Sequence, residues 1–310
     1  MIVDLPDTTV SVIAKKLVSV REEGGAVALG RVLTLVIVST GGFDEEAIEA
    51  ANAASREHPM RVIVLVIEPE GATGLDAQIR VGGDAGASEV VVLHARGDAA
   101  SNQESLVNGL LLPDAPVVAW WPEDPPADPA RSPIGRMAQR RITDASTKPF
   151  VGDRLSTLGV SYRPGDTDLA WTRLTHWREQ LAAVLDQPPY EPVTAVEVAG
   201  AGSSPSTGLL AAWLGLKLEV PVRWTYAPQE EWSHGIRSVK LSRESGEIVL
   251  ERVNEREATL TQPGQPTHDI VLPRRSLREC LAEELRRLDP DLLYGRVITD
   301  GWATLEPPTS

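Results

Sequence analysis

The stretch from residue 31 to residue 71 limits the fold of this chain more than any other part of its sequence. It contains two nearly uninterrupted apolar runs, residues 32–38 and 62–67, which are rich in Val and Ile and too short to cross a membrane. The residues between the runs carry apolar side chains at helical spacing. Strands without polar alternation are typical of a parallel sheet that is covered on both faces. The stretch therefore predicts a strand–helix–strand unit with parallel strands.

The turn after the first run, residues 39–42, has the sequence STGG and leads to three acidic residues, Asp44, Glu45 and Glu46. Acidic side chains suit the positive end of a helix but would repel a phosphate group there. We therefore predict a structural role for this turn.

The rest of residues 1–190 predicts further parts of the same sheet. Apolar periodicity indicates helices at residues 10–23 and 101–112 and strands at residues 77–81, 89–94 and 116–121. We expect an α/β domain with a mostly parallel sheet of at least four strands and flanking helices.

Residues 191–310 predict a smaller α+β domain. A strand, a turn, a helix and a second strand open it, at residues 194–200, 201–206, 207–218 and 222–227. An antiparallel meander follows, at residues 236–242, 247–253, 258–261 and 269–272, and a capping box of Ser276 and Glu279 begins a last helix. Pro188 and Pro189 place the domain boundary near residue 190.

The composition disfavours several classes of function. The formal charge of −14 and the pI near 4.9 argue against binding to nucleic acid or to anionic membranes. The N-terminus lacks the pattern of a signal peptide, so we expect a cytoplasmic protein. A single cysteine, Cys280, excludes an intramolecular disulfide, and five scattered histidines give no metal-ligand spacing. We predict neither a metal nor a cofactor.

Two tryptophans, Trp120 and Trp121, end the last predicted strand of the first domain. Ligands bind open α/β sheets at the carboxyl ends of strands, so the pair predicts a pocket or a partner surface. The alternative, which we favour, is two core residues, because Trp buries a large area and neighbouring strand side chains point to opposite faces.

One basic segment, residues 131–154, interrupts the acidic chain. Arginine side chains match the geometry of phosphate and carboxylate groups, so the segment is a candidate site for a phosphorylated small molecule or for an acidic protein surface. A solvated charged face is the alternative. The candidate residues are Arg136, Arg140, Arg141 and Asp144.

A helix with two tryptophans follows at residues 166–187, capped by Asp166 or Asp168. Its apolar stripe consists of Ala170, Leu174, Trp177, Leu181 and Val184.

The turn at residues 200–206 is a separate candidate for a binding site. Ser204 suits an N-cap and Pro205 a first helical residue, while nearby glycines let the backbone approach a ligand, so an anion can bind the helix N-terminus. The candidate anion-binding residues are Gly200, Gly202, Ser203, Ser204 and Ser206. Helix capping alone also explains the serine and the proline, and Pro205 occupies the place of the third glycine of a dinucleotide fingerprint.

Six segments spread over nearly the whole chain carry a resemblance to a known family: MIVDLPDTTV, GGAVALGRVLTLVIV, VVAWWP, RRITDAS, RPGDTDLAWTRLTHWR and SPSTGLLAAWL. Together they resemble the actinobacterial form of the OpcA family, the glucose-6-phosphate dehydrogenase assembly proteins. The resemblance implies a non-catalytic protein that binds this dehydrogenase and promotes its assembly or activation, as an allosteric activator in the oxidative pentose phosphate pathway. The partner-binding candidates lie in or beside these segments: Trp120, Trp121, Arg136, Arg140, Arg141, Asp144, Asp166, Asp168, Trp171, Arg173 and Trp177.

Redox control through cysteines, which is linked with photosynthetic relatives, does not carry over to a chain with only Cys280. Two other functions remain open. A sugar-phosphate-binding enzyme or sensor would use the turn at residues 200–206, with Arg140 and Arg141 receiving the anion. A nucleotide-binding protein is disfavoured by the interrupted fingerprint and by the absence of a GxxxxGK[ST] motif.

Overall fold

The structure, a computed structural model, describes residues 1–23, 31–40, 45–81, 89–147, 151–227, 232 and 234–308, without the side chains of residues 21–23, 147 and 151–153. The predicted turn at residues 39–42 lies partly outside this description. The chain forms two compact units. The first contains Met1–Asp144, Gly165–Thr167 and Leu277–Pro290, and the second contains Ala145–Pro164, Asp168–Ser276 and Asp291–Ser310. Residue 190, the predicted boundary, lies within the second unit.

Fourteen strands are present in the described part of the chain: β1 Ile2–Leu5, β2 Leu33–Ser39, β3 Met60–Glu68, β4 Gly74–Val81, β5 Glu89–Arg96, β6 Val117–Trp121, β7 Arg140–Thr143, β8 Asp166–Asp168, β9 Ala195–Ala201, β10 Val222–Ala227, β11 Ile236–Arg243, β12 Gly246–Arg252, β13 Glu257–Thr261 and β14 His268–Val271.

Ten α-helices accompany them in the same residues: α1 Val10–Glu23, α2 Glu45–Ala54, α3 Gln103–Asn108, α4 Val151–Ser161, α5 Leu169–Thr172, α6 Thr175–Leu185, α7 Pro205–Leu218, α8 Leu277–Arg286, α9 Leu292–Arg296 and α10 Trp302–Thr304. None of these described helices combines the length and the apolar character that a bilayer span needs.

The sheet of the first unit has the strand order β1–β4–β5–β3–β2–β6–β7–β8. Its centre is parallel, since β5, β3, β2, β6 and β7 pair in parallel, whereas β4 is antiparallel to β1 and β5. Every residue of β2 is buried, as a strand covered on both faces requires. Ile13 and Leu17 of α1 pack on one face of the sheet. The predicted mostly parallel α/β fold is confirmed.

The strand–helix–strand unit predicted in the first unit is present as β2, α2 and β3, with Leu35 opposite Val62 in parallel register. The helix predicted at residues 101–112 is shorter than expected. A 3-10 turn at Gly97–Ser101 precedes α3, which ends at Asn108, and Asp114 in the following loop has a left-handed φ of 57°.

The second unit contains a six-stranded sheet, in the order β10–β9–β11–β12–β13–β14 within the described residues. The strands β9 and β10 are parallel and are joined by α7, while β11 to β14 form an antiparallel meander. The strand–helix–strand opening and the antiparallel meander were predicted from the sequence and are confirmed. The core of this sheet also holds the apolar face of α6, including Trp177, Leu181 and Val184.

The tryptophan-containing helix predicted at residues 166–187 is two helices. Asp168 caps α5 by accepting a hydrogen bond from the amide of Ala170 at 2.8 Å, and α5 ends at Thr172. The second helix, α6, begins at Thr175, so Arg173 and Leu174 form the connection. Asp166 lies on β8 and caps neither helix.

Candidate functional site

The two tryptophans predicted at a strand end, Trp120 and Trp121, lie on β6 and are 0% and 3% exposed. The indole Nε1 of Trp120 is buried without a hydrogen-bond partner in the described structure. Neither ring is on the surface, because both faces of β6 are covered. A role for these two residues in partner binding remains a prediction. Because the rings are buried, such a role would be indirect.

The paired arginines of the basic segment lie on β7, and Arg140 and Arg141 are 4% and 7% exposed. Arg140 donates from Nε to Oε2 of Glu284 at 3.1 Å and from Nη1 to the carbonyl of Asp289 at 2.9 Å. Arg141 pairs through Nε with Oδ1 of Asp166. These guanidinium groups therefore satisfy buried carboxylates, and the solvated face that the sequence offered as an alternative does not include them.

The other candidate residues of these segments differ in how buried they are. Arg136 is exposed and pairs with Glu104, with Nε and Oε1 3.0 Å apart. Asp144 is buried. Asp168 is fully buried and accepts a second hydrogen bond, from the amide of Ala145 at 3.0 Å.

The two tryptophans of α5 and α6 lie in the core of the second unit. Trp171 donates from its indole nitrogen to Oδ2 of Asp291 at 2.8 Å, and the guanidinium carbon of Arg178 lies 3.9 Å from its ring centre. Their role in this structure is packing, and a contact with a partner at either ring remains a prediction.

The predicted anion-binding turn opens onto a cavity of about 330 Å³ in the second unit. Residues 203–206 form one wall, Arg173 and Trp177 a second, and Arg252 with residues 273–275 a third. The cavity adjoins the carboxyl end of β9, because residues 203–206 follow that strand directly, and β9 pairs in parallel with β10. Ligands bind open sheets at this position.

The N-terminus of α7 contributes to this cavity. Ser204 occupies the N-cap position and Pro205 the first turn, as predicted, but the hydroxyl of Ser204 makes no capping hydrogen bond. Ser206 is bonded elsewhere, because its hydroxyl donates to the carbonyl of Ala170 at 2.8 Å. The first-turn amides of a helix of 14 residues favour negative charge at this end.

The two glycines of the turn, Gly200 and Gly202, differ in how closely other atoms surround them. A Cβ on Gly200 would lie 2.3 Å from Oγ1 of Thr207 and 2.8 Å from the carbonyl oxygen of Gly235. Gly200 therefore permits close packing between β9, α7 and the start of β11. A Cβ on Gly202 would meet only the Tyr226 ring, at 3.6 Å, which is an ordinary contact.

Four arginines line the cavity, and no carboxylate is among its described lining residues: Arg173, Arg252, Arg274 and Arg275. Burial, together with a smaller contribution from the positive charge of Arg274, lowers the pKa of Arg252 to about 10. The pKa of Arg274 is also lowered by burial, partly offset by the negative charge of Glu255. Both groups stay cationic at neutral pH, in a chain whose net charge is −14.

Main-chain carbonyls hold these arginines in place. Arg274 donates from Nη2 to the carbonyl of His234 at 2.8 Å, and Arg275 donates from Nη1 to the carbonyl of Thr172 at 2.7 Å. Sequence reasoning missed Arg252, Arg274 and Arg275, because residues far apart in the chain complete this cavity. The only local signal is the arginine pair of residues 274–275 directly after the meander.

Two family models match consecutive parts of the chain, and both describe a glucose-6-phosphate dehydrogenase subunit. The model of its N-terminal domain matches residues 51–159, and the model of its C-terminal domain matches residues 164–298. The chain belongs to the OpcA family. The resemblance carried by the sequence segments is thereby confirmed. As a member of this family, the chain is a protein associated with glucose-6-phosphate dehydrogenase.

The chain is also similar in fold to solved structures of oxidoreductases. One, from Pseudomonas syringae, shares 13% identity over 90% of this chain and 92% of that chain, with a TM-score of 0.43. Another, from Thermotoga maritima, shares 10% identity over 88% of this chain and 94% of that chain, with a TM-score of 0.44. At this level the likeness carries no argument about function. No curated protein matches the chain.

Proposed function

We propose that the chain is a non-catalytic cytoplasmic partner of glucose-6-phosphate dehydrogenase, which it binds and whose assembly or activation it promotes. The observation that carries this proposal is the match of two family domains, in order and almost without a gap, over residues 51–298. Both descriptions name a subunit of the dehydrogenase, and a subunit must present a surface to the enzyme.

Exposed apolar residues are the first place to seek that surface, because most residues first considered for docking are buried. The second unit has a groove of about 670 Å³ that is lined by Trp224, Tyr226, Trp302 and Val160. The Val160 side chain is 88% exposed and Tyr226 is 39% exposed. An apolar valine so fully exposed to water is stabilised when a partner covers it.

The groove is preorganised by contacts between its own aromatic rings. Trp224 and Tyr226 form an edge-to-face pair with ring centres 5.4 Å apart, and the rings of Trp224 and Trp302 lie 6.1 Å apart. The indole of Trp302 donates to Oγ of Ser156 at 3.0 Å. Trp and Tyr are enriched among residues that dominate binding energy, and a rigid groove loses little entropy on binding. We propose that an apolar segment of the dehydrogenase occupies this groove.

The test combines purified chain with purified dehydrogenase from the same organism. Sedimentation velocity should show a complex, and the initial rate of glucose 6-phosphate oxidation should rise in its presence. Val160→Glu should weaken the complex by about tenfold or more, which corresponds to about 1.4 kcal/mol. Absence of a complex with the parent chain would contradict the proposed function.

The matched control is Val271→Glu, since Val271 is 76% exposed on β14 and does not line the groove. It should leave the affinity unchanged, and both variants should keep the melting temperature of the parent. Equal affinity for the Val160 variant and the parent would move the docking surface away from the groove while leaving the partnership intact.

A further inference from the structure

We propose that the cavity at the N-terminus of α7 binds a phosphate monoester of a small polyhydroxylated molecule, that is, a sugar phosphate or a polyol phosphate. This inference is independent of the partnership with the dehydrogenase, because it rests on the second unit alone. The cationic and hydroxyl groups that line the cavity suit a phosphate group and a polyol, respectively.

Arg252 carries the first part of the argument. It is 5% exposed and lines the cavity, yet its hydrogen bonds run from Nη1 to three carbonyls: Leu272 at 2.5 Å, Asn254 at 3.2 Å and Glu255 at 3.3 Å. Its Nε and Nη2 donate to no described residue. A buried charge is normally paired with an opposite charge. Two donors of this largely buried, cavity-lining side chain are therefore available to an anion.

Arg274 adds a second cation, which lies near the negative charge of Glu255 but has an incomplete set of hydrogen bonds. Its Nη2 donates to a carbonyl, and its Nε is buried without a hydrogen-bond partner in the described structure. Arg252 and Arg274 are close enough for the charge of one to lower the pKa of the other. Two guanidinium groups that repel each other are both stabilised by a doubly charged anion between them, and a phosphate monoester carries close to two negative charges at neutral pH.

Ser204 supplies a third observation. It is 9% exposed, it lines the cavity, and its hydroxyl makes no bond to the helix that it precedes. The first-turn amides of α7 lie at the same end and favour a phosphate group. A hydroxyl that makes no capping bond and two cations line the same cavity at this helix end, and all are donors that phosphate oxygens can accept from.

The remaining lining favours a polyol over a nucleotide. Ser146 and Ser203 add hydroxyl groups. Trp177 is the one tryptophan among the described lining residues, and the Arg252 guanidinium carbon lies 5.4 Å from its ring centre. A guanidinium over the ring takes the place that a stacked base would need. The cavity of about 330 Å³ is of the size expected for a small phosphorylated ligand.

Titration calorimetry with the full chain in phosphate-free buffer at pH 7.5 tests the proposal. The probes are glucose 6-phosphate, glycerol 3-phosphate, glucose, inorganic phosphate, AMP and pentaglutamate. At least one of the two polyol phosphates should bind saturably, about tenfold or more tightly than inorganic phosphate, and glucose should not bind. The affinity should fall as salt concentration rises, because the contacts are ionic.

Arg274→Gln should weaken binding by about tenfold or more, since it removes a charge-assisted contact, and Ser204→Ala should weaken it severalfold. Arg243→Gln is the matched control, because Arg243 is also buried, also binds a carbonyl, that of Pro189 at 3.1 Å, and does not line the cavity. It should leave the affinity unchanged. The midpoints of urea denaturation identify any variant that does not fold. If Arg274→Gln is such a variant, Ser204→Ala becomes the test of the site.

Several outcomes would overturn the proposal. No binding of any phosphate by the folded chain excludes the site. Tighter binding of AMP assigns it to nucleotides, tighter binding of pentaglutamate assigns it to an acidic peptide, and equal binding of inorganic phosphate removes the polyol part. Unchanged affinity in both Arg274→Gln and Ser204→Ala, with both variants folded, places the ligand elsewhere.

Discussion

Arg140 and Glu284 are 144 residues apart in the sequence, yet their side chains form a buried ion pair inside the first unit, with Nε and Oε2 3.1 Å apart. Glu284 lies on α8, and its second oxygen accepts from the hydroxyl of Thr167 at 3.4 Å. Two returning segments of the chain thus meet at one carboxylate. The pair helps to fix α8 to the unit that the first 144 residues build.

The first prediction follows from this pair. Arg140→Glu would place two carboxylates together in a buried position, so we expect the free energy of unfolding to fall by about 3–5 kcal/mol. Urea denaturation followed by tryptophan fluorescence measures this change. Arg136→Glu is the control, because Arg136 is exposed and surface ion pairs contribute at most about 1 kcal/mol. Equal losses of unfolding free energy in the two variants would show that the buried pair contributes no more to stability than the surface pair.

Local patterns predicted the elements of the fold well. The apolar runs that became β2 and β3, the turn residues of the meander and the cap at Ser204 are properties of a few consecutive residues, and a sequence displays them directly. The pairing of Arg141 with Asp166 and the return of α8 to the first unit depend on residues far apart in the chain. A single sequence contains the charges but not the distances between them, so it suggested a surface site instead.

The second prediction concerns the turn before α7. Gly200→Ala should lower the free energy of unfolding by about 1–3 kcal/mol, because the new methyl group meets main-chain and side-chain atoms that have no room to move. Gly202→Ala is the matched variant and should change it by less than about 0.5 kcal/mol, because only the Tyr226 ring lies near. Urea denaturation of both variants checks the pair. A tolerated alanine at residue 200 would mean that β9 and α7 can separate.

The third prediction concerns the single cysteine. Cys280 is fully buried on the apolar face of α8, with Leu281 and Leu285. Its thiol should react with Ellman's reagent at least about a hundredfold more slowly in the native chain than in urea, since reactivity requires an accessible thiolate. Cys280→Ser should leave activation of the dehydrogenase unchanged. Fast native reaction, or loss of activation on oxidation that the serine variant abolishes, would identify a redox switch.

The sequence predicted only part of the candidate site. Helix capping residues and glycines marked the turn at residues 200–206, since cap preferences are local. Three of the four arginines of the cavity come from the end of β12 and from the segment before α8, which the meander brings to this turn. The sequence therefore predicted an anion site but assigned it Arg140 and Arg141, which pair with carboxylates of the first unit.

The last prediction concerns pH and the aromatic groove. Burial raises the pKa of Tyr226 above its usual value of 10.0, because the phenolate is poorly solvated there. Well below pH 10 the residue is neutral in both the folded and the unfolded chain, so it contributes no pH dependence there. As pH rises from about 10 through the folded pKa, the unfolded chain releases the proton first, and the free energy of unfolding falls.

Tyr226→Phe removes this pH dependence of the free energy of unfolding, because phenylalanine has no proton to release. Urea denaturation at pH 9 and at pH 11 should show a smaller loss of stability in the variant than in the parent. Absorbance at 295 nm should show one fewer tyrosine titrating above pH 10 in the native variant than in the native parent. An equal pH dependence in both chains would mean that water reaches the Tyr226 hydroxyl freely, and the groove would then lack the partly dry surface that an apolar partner segment requires.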